Sequence, residues 1–586
     1  MTVIVRFGLW TRRDFEVGDP TLPTADEIVT HTLLNCLLRE VCGPDQQAIV
    51  ADGYLLVLLP RRGVLLRIAL RRTSLIGAHR FCGPIFEQRD GDWVALDCRQ
   101  LAMHVHAELT LRTGIENDEF LSQLASSYQN VRIALTLRPK PSGVRDRYLE
   151  SEQSLLFGHR FHPTPKARSG TARDWTAYAP EAGARFPVRH LAVRPHLIIE
   201  DIAAVGAATP IDRLGDVPDG YRLLPIHPWQ YDLLRDYPPL RTALGRGDIV
   251  DLGVRGALFT PTASVRTLYD GQDFLKFSLD IRITNCVRKN AAYELAGAVA
   301  LTRLLALTLH SLSARFPDAV VLRESAYRSV ALRATDPNCA TGSVDTTLLE
   351  GFGVIVRDGL GRYLRSGVTA LLAAAMADEY PTSPAHLSRL PACADPIQAT
   401  AWWTAYLRLL VPPVLTAYFE HGVVFEPHLQ NVVVGIDPDG IPVQVFFRDF
   451  EGTKLLPDHH ADALAALPVT VSGPLTYDAQ HGWDRVVYCL LVNHIAEMLA
   501  VLADLHPRLE RALWMQVRRT LQDYADTYNC PPRLGALLTG DRLPAKANLL
   551  SRWHRNPDRD TGYVRLPSPL IPAMATDVVG SDRGRP

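Results

Sequence analysis

The segment FEPHLQNVVVGIDPDGIPVQVFFRDFEG, Phe425 to Gly452, constrains the fold more than any other stretch of the chain. Val432 to Gly435 and Val443 to Phe447 are β-branched or aromatic runs, and Asp437-Pro438-Asp439-Gly440 between them is strong turn chemistry, which predicts a hairpin. Antiparallel pairing returns the chain to where it began. Glu426, His428, Gln430 and Asn431, which enter the first strand, must then lie beside Asp449 and Glu451, which leave the second. Two or three carboxylates and an amide on a rigid hairpin mouth are the donors Mg²⁺ takes when water and nucleotide phosphate complete its shell. Asn431 with Asp449 is the preferred pair, and Glu426 and Glu451 are further candidates. A polar hairpin end satisfying its own turn uses the same residue types. Protein kinases place a metal Asn and a metal Asp around such a hairpin, an analogy that favours the metal reading.

A second hairpin is expected within FTPTASVRTLYDGQDFLKFSLDIRITNCVRKN, Phe259 to Asn290. With a three-residue loop at Asp270 to Gln272, Arg266 lies opposite Lys276 and Ser264 opposite Ser278, while Val265, Thr267, Leu275 and Phe277 share the other face. Directly opposed cations repel, and the pair is tolerated best with an anion between them. Arg288, twelve residues beyond Lys276, offers a third cation, although an ordinary solvated strand face carries such charges too. The loop GHRFHPTPKARSG, Gly158 to Gly170, gathers two His, one Lys and two Arg among prolines and glycines, chemistry suited to a carboxylate or phosphate. His159 and His162 lack a third ligand nearby, which argues against zinc. PIHPWQYD, Pro225 to Asp232, reads as a turn with an aromatic anchor, and His104, His106, His459 and His460 read as packing.

Length and composition bound the rest. At 586 residues the chain exceeds a single core, and the punctuation divides it into 1–145, 146–365 and 366–586, an α+β multidomain class. Lys plus Arg number 62 against 63 Asp plus Glu, so no global field draws the protein to nucleic acid, and an anionic ligand needs a local cationic site. Only six of the basic residues are lysines (140, 166, 276, 289, 454 and 546), so a lysine inside an apolar run stands out. Nine cysteines without CxxC spacing, no apolar run within Met1 to Glu16, and charges inside Ala291 to Leu309 point to a cytoplasmic protein without a membrane span. Periodicity predicts a helix over Glu27 to Val41, hairpins over Ala48 to Leu70 and Phe81 to Asp97, and one long helix over Leu101 to Leu137. A linker follows at 138–148, a strong helix at Ala291 to Leu312, and a structureless tail after Pro567. There is no GxxxxGK[ST], GxSxG, HExxH, or GxGxxG opening a helix.

GHRFHPTPKARSG, HPWQ, TASVRTL, LKFSLDIRITNCVRKN, EPHLQN, RDFEG and LPAKANLLSRW occur in this order. In that order and spacing the chain resembles the IucA/IucC-type siderophore synthetases, also called NRPS-independent siderophore synthetases, from about residue 20 to 570. The resemblance implies a cupped hand of thumb, fingers and kinase-like palm, and ATP-dependent, AMP-forming condensation of a polycarboxylic acid with an amine, hydroxylamine or alcohol. It implies that Ser264, Arg266, Thr267 and Lys276 hold the triphosphate, that Asn431 and Asp449 complete the Mg-ATP site, and that Gln430 contacts the nucleotide or its acid partner. His159, Lys166 and Thr284 would bind the acid, with Arg288 and His428 where acid and α-phosphate meet; Lys276, Arg288 and His428 are the expected catalytic residues. Small-molecule substrates and a homodimer are the implied partners. Pro427 departs from the small residue many relatives carry there, which bears on acid specificity. Citrate, a citryl derivative and 2-oxoglutarate stay open as the acid. A phosphotransferase and a non-catalytic carboxylate binder are the competing classes, the first lacking a glycine-rich loop before Lys276 and an Asp between His428 and Asn431.

Overall fold

The computed structural model describes residues 22–138, 146–204, 209–284, 286–333, 344–557 and 561–572; most of the expected linker and most of the tail lie outside them. The N-terminal part is a five-stranded antiparallel meander, Ala48–Ala51, Tyr54–Leu59, Val64–Arg72, Arg80–Arg89 and Asp92–Leu96, with three helices on one face. Val64, Leu66 and Ile68 alternate inward from the third strand, as a half-buried strand requires. The long helix expected after residue 101 is two, Cys98–Thr113 and Asp118–Leu137, because Gly114 takes a left-handed φ of 72° that ends the first. Leu549 and Trp553 from the far end of the chain complete this core. Glu40, buried, accepts the N–H groups of Leu549 (2.9 Å) and Leu550 (2.8 Å), anchoring the helix Asn548–Trp553 by its N-terminus.

An antiparallel eight-stranded sheet follows, in the order Ile198–Ile202, Glu324–Val330, Val354–Arg357, Phe274–Phe277, Thr267–Tyr269, Ile249–Pro261, Phe186–Val193 and Arg222–Ile226. The C-terminal part packs the 24-residue helix Pro396–Phe419 against the sheet that contains the hairpin Val432–Ile436 and Pro442–Phe447. The expected helix at Ala291 to Leu312 is Ala292–Leu304 and Ala306–Arg315, bent by 57°. A more apolar helix than that one runs through Ala479–Leu505, with a mean hydropathy of 1.9 over a window that is 94% buried. Its hydrophobicity serves the core, packing with Trp402, Trp403 and Tyr406.

Candidate active site

The late hairpin closes where its turn chemistry requires. Asp437 Oδ1 accepts from the N–H groups of Asp439 (3.0 Å) and Ile441 (2.9 Å), and Gly440 takes φ 84°. Val432 pairs with Phe447, and the Arg448 N–H donates to the Asn431 carbonyl at 3.0 Å, which brings Asn431 beside Asp449. Asp449 itself holds a left-handed φ of 69° and turns the chain into Phe450–Gly452. Glu426, Asn431, Asp449 and Thr453 share the lining of a cavity of about 10 Å³, room for roughly one ion or water. Asn431 Nδ2 donates to the Glu426 carbonyl at 3.2 Å, which leaves the amide oxygen as the atom available to a cation.

Cations from the eight-stranded sheet reach the same mouth. Lys276, 2% exposed, donates from Nζ to Asp449 Oδ1 (2.5 Å) and forms an ion pair with Glu451 Oε1 (2.7 Å). Arg357 Nη2 donates to Asp449 Oδ1 at 2.8 Å, and Arg266 Nη2 lies 3.7 Å from Glu451 Oε1. Burial alone would raise the Asp449 pKa, but Lys276 and then Arg357 override it and hold this carboxyl well below the usual range. Burial likewise opposes the charge on Lys276, and Asp449 and Glu451 outweigh it, so its pKa rises.

The register here differs from the expected one. Thr267, not Arg266, pairs with Lys276, across a four-residue loop, Asp270 to Asp273. Asp270 Oδ1 accepts from the N–H groups of Gln272 (2.8 Å) and Asp273 (2.7 Å), and the buried Asp273 carboxylate ties down Arg213 and Arg362, which fixes the longer loop. Arg266 therefore precedes the strand, in a curl where the Thr267 N–H donates to Ser264 Oγ at 3.2 Å and Val265 is held at φ 69°. A β-branched residue at positive φ is strained, and such strain persists only where the surroundings over-determine it. From the curl Arg266 donates to the Arg288 carbonyl at 3.4 Å and to Asn290 Oδ1.

On the other side of the mouth, His428 sits with Glu426, Asp449, Arg485 and Lys546 acting on it, and burial foremost lowers its pKa. His159 is exposed on its loop, and the Asn493 side chain, whose Oδ1 accepts the Leu429 N–H at 3.3 Å, links that loop to the residue after His428. His159 Nε2 meets Asn493 Nδ2 at 2.7 Å. Both loop histidines use Nδ1 locally, accepting from Phe161 N–H (3.0 Å) and Thr164 N–H (3.2 Å). Lys166 is engaged elsewhere: Nζ donates to the Leu155 carbonyl at 2.7 Å and to Glu181 Oε1 at 3.3 Å. Thr284 takes φ 58°, and its N–H donates to the Ala167 carbonyl at 2.8 Å, which seats it against the Lys166 loop. Arg288 pairs through its strand with Leu279, and the Gln430 carbonyl accepts from Arg448 Nε at 2.8 Å.

Among the described residues no three His, Cys, Asp or Glu side chains converge as a ready metal cage. Glu426 faces Arg485 at 3.3 Å, and Lys276 occupies Asp449 and Glu451. The donor chemistry still fits Mg²⁺, which needs only one or two protein carboxylates. Glu451 Oε2 is buried without a hydrogen-bond partner, a carboxylate oxygen with unmet demand for a cation.

Family comparisons bear on this arrangement directly. Residues 147–378 match the IucA / IucC family, and residues 400–561, which include the hairpin, match the family described as ferric iron reductase FhuF-like transporter. The L-2,3-diaminopropanoate–citrate ligase of Staphylococcus aureus is 29% identical over 73% of this chain and 75% of its own. The rhizobactin siderophore biosynthesis protein RhbC of Rhizobium meliloti is 27% identical over 93% and 98%. The structure of ATP-bound aerobactin synthetase IucA from Klebsiella pneumoniae superposes with a TM-score of 0.81, at 23% identity, over 93% of this chain and 99% of that one. Over nearly its whole length the chain is similar to the IucA/IucC-type siderophore synthetases. Its α+β multidomain fold is that of the aerobactin synthetase structures.

Sequence reasoning missed Lys546, Arg485, Arg357 and Glu324, all at the mouth or directly behind it. Lys546 had a signal in the scarcity of lysine, and all five described lysines (166, 276, 289, 454 and 546) are partly or fully buried. Arg485, Arg357 and Glu324 had none, because each meets its partner only through the fold.

Proposed function

We propose that the protein activates a polycarboxylic acid, citrate or a citryl derivative, with ATP and joins it to an amine, hydroxylamine or alcohol in siderophore biosynthesis. The observation that carries this is the meeting of Lys276, Asp449 and Glu451 at the hairpin mouth, with the His159 loop joined to the same segment through Asn493. One side has phosphate and metal chemistry, and the other has imidazole groups that can hydrogen-bond a carboxylate. The ranges 1–145, 146–365 and 366–586 would then be thumb, fingers and palm of a cupped hand with a kinase-like palm, acting as a cytoplasmic homodimer.

Ser264, Arg266, Thr267 and Lys276 hold the triphosphate from the sheet side, Gln430 contacts the nucleotide, and His159, Lys166 and Thr284 hold the acid; for Lys166 this means exchanging Glu181 for substrate. Arg288 and His428 bridge the acid and the α-phosphate. Mg²⁺, when bound, neutralises phosphate charge, with Asn431 and Asp449 and further Glu426 and Glu451 as its protein donors. A carboxylate oxygen forms a bond to the α-phosphorus and pyrophosphate leaves. The nucleophile then adds to the acyl carbon, AMP departs with that oxygen, and the attacking group loses its proton to water or to the departing phosphate. No Ser-His-Asp or Cys-His nucleophile is needed, because fixed cations stabilise the developing phosphoryl charge.

The test is product analysis with citrate and a panel of amines. AMP and pyrophosphate, formed only with Mg²⁺ and acid, together with acid-dependent exchange of labelled pyrophosphate into ATP, support the proposal. ADP as the sole nucleotide product would move the protein to the phosphotransferases.

A further inference from the structure

Behind the hairpin mouth lies an ion pair closed off from solvent. Glu324, 0% exposed, and Arg357, 3% exposed, stand opposite each other on the neighbouring strands Glu324–Val330 and Val354–Arg357. The register shifts between Glu324 and Ala326, the kind of irregularity that re-aims a side chain. Arg357 donates to Glu324 Oε1 from Nε (3.1 Å) and Nη2 (2.7 Å), and the same Nη2 reaches Asp449 Oδ1 at 2.8 Å. Glu324 Oε2 accepts the backbone N–H of Glu451 at 2.7 Å. One buried carboxylate thus fixes the Asp449 side chain through a guanidinium and the Glu451 backbone directly.

We infer that Glu324 and Arg357 are a positioning pair that keeps Asp449 and Glu451 in place when nucleotide phosphate draws Lys276 away, an inference that rests on the nucleotide reading above. Lys276 serves both carboxylates, so its departure would free both at once. Asp449 holds a strained left-handed conformation and would relax without a second cation. Arg357 is that cation for Asp449, and the Glu324 carboxylate keeps its hold on the Glu451 backbone. Stability alone gives little reason to keep such a pair, since buried ion pairs are commonly replaced by apolar residues of similar size without loss.

The experiment uses the full chain with Glu324→Gln, Arg357→Lys and the double variant Glu324→Met/Arg357→Met. Binding of a non-hydrolysable ATP analogue is followed by calorimetry across a Mg²⁺ titration, beside steady-state kinetics and thermal melts. The pair predicts cooperative melting in all three, turnover lowered about ten- to a hundredfold, KM for the acid within about twofold of wild type, and several-fold more Mg²⁺ needed for half-maximal analogue binding. Arg357→Lys should recover part of the Mg²⁺ shift that the double variant shows. Wild-type turnover and Mg²⁺ demand in Glu324→Gln would overturn the inference, as would a double variant whose only defect is early melting. If the wild type binds the analogue but forms only ADP, the synthetase reading fails while the Mg²⁺ titration still decides the pair.

Discussion

Replacing Asp449 by Asn separates the chemical role of the hairpin mouth from its structural role. The substitution keeps shape and removes one charge from a cluster in which Lys276 and Arg357 contact the same oxygen at 2.5 and 2.8 Å. Breaking a buried ion pair typically costs about 3–5 kcal/mol, mostly because the partner is left unpaired. Neither partner is orphaned here: Lys276 keeps Glu451 at 2.7 Å and Arg357 keeps Glu324 at 2.7 Å. The Asp449 side chain is also 35% exposed, so solvent screens part of the interaction. The expected loss is therefore about 1–2 kcal/mol, a shift of a few degrees in Tm. Turnover should fall at least about a hundredfold, the scale of removing one preorganised electrostatic contact, about 3 kcal/mol. A melt in parallel with acid-dependent pyrophosphate exchange measures both. Near-normal exchange, or a collapse in Tm of tens of degrees, would refute the assignment and make Asp449 a structural residue. The depressed Asp449 pKa adds a sign: its stabilising contribution is present above the unfolded carboxyl pKa and is lost as pH falls toward the folded value, so Asp449→Asn should flatten that acid limb.

Three other outcomes are expected. Arg288→Lys keeps charge but loses parallel donors, so turnover and pyrophosphate exchange should drop roughly ten- to a hundredfold, about 1–3 kcal/mol in barrier, with smaller changes in affinity; exchange at the wild-type rate would move the junction of the substrates to His428. Titrating ATP and acid separately by calorimetry, His159→Ala should weaken the acid and spare ATP, while Lys166→Ala should weaken the acid less than His159→Ala does and also lower stability by about 1–3 kcal/mol, since Lys166 holds the Leu155 carbonyl and Glu181. His494, pushed down to about 4 chiefly by burial, must donate from Nδ1 to the Pro427 carbonyl (2.8 Å) and accept from the Tyr406 hydroxyl, which requires the neutral ring. Its contribution to stability is full above the unfolded pKa near 6.5 and is lost as pH falls from there toward 4; a His494→Gln variant with an unchanged pH–stability curve would contradict this.

What the sequence made legible follows from locality. The hairpin at Val432–Ile436 and Pro442–Phe447 could be read because turn, strands and flanking polar residues lie within one segment, and the turn is held by the Asp437 side chain itself. The earlier hairpin lies one residue out of the register that face counting predicts, because Asp270 and Asp273 lengthen the loop through contacts with Arg213 and Arg362. Glu324 in ESAYRSV looks like any polar strand residue until the fold sets it against Arg357 and the Glu451 amide. The cation-rich loop announced its charge, but not that Lys166 pairs with Glu181 while His159 meets Asn493.

The central claim is that an acid oxygen attacks the α-phosphorus of ATP, and oxygen tracing tests it most directly. Citrate labelled with ¹⁸O in its carboxylates, turned over with ATP, Mg²⁺ and an accepted amine, should yield AMP carrying one labelled oxygen and unlabelled pyrophosphate, read by mass spectrometry. Label in inorganic phosphate with ADP as co-product, or AMP without label, would contradict the account.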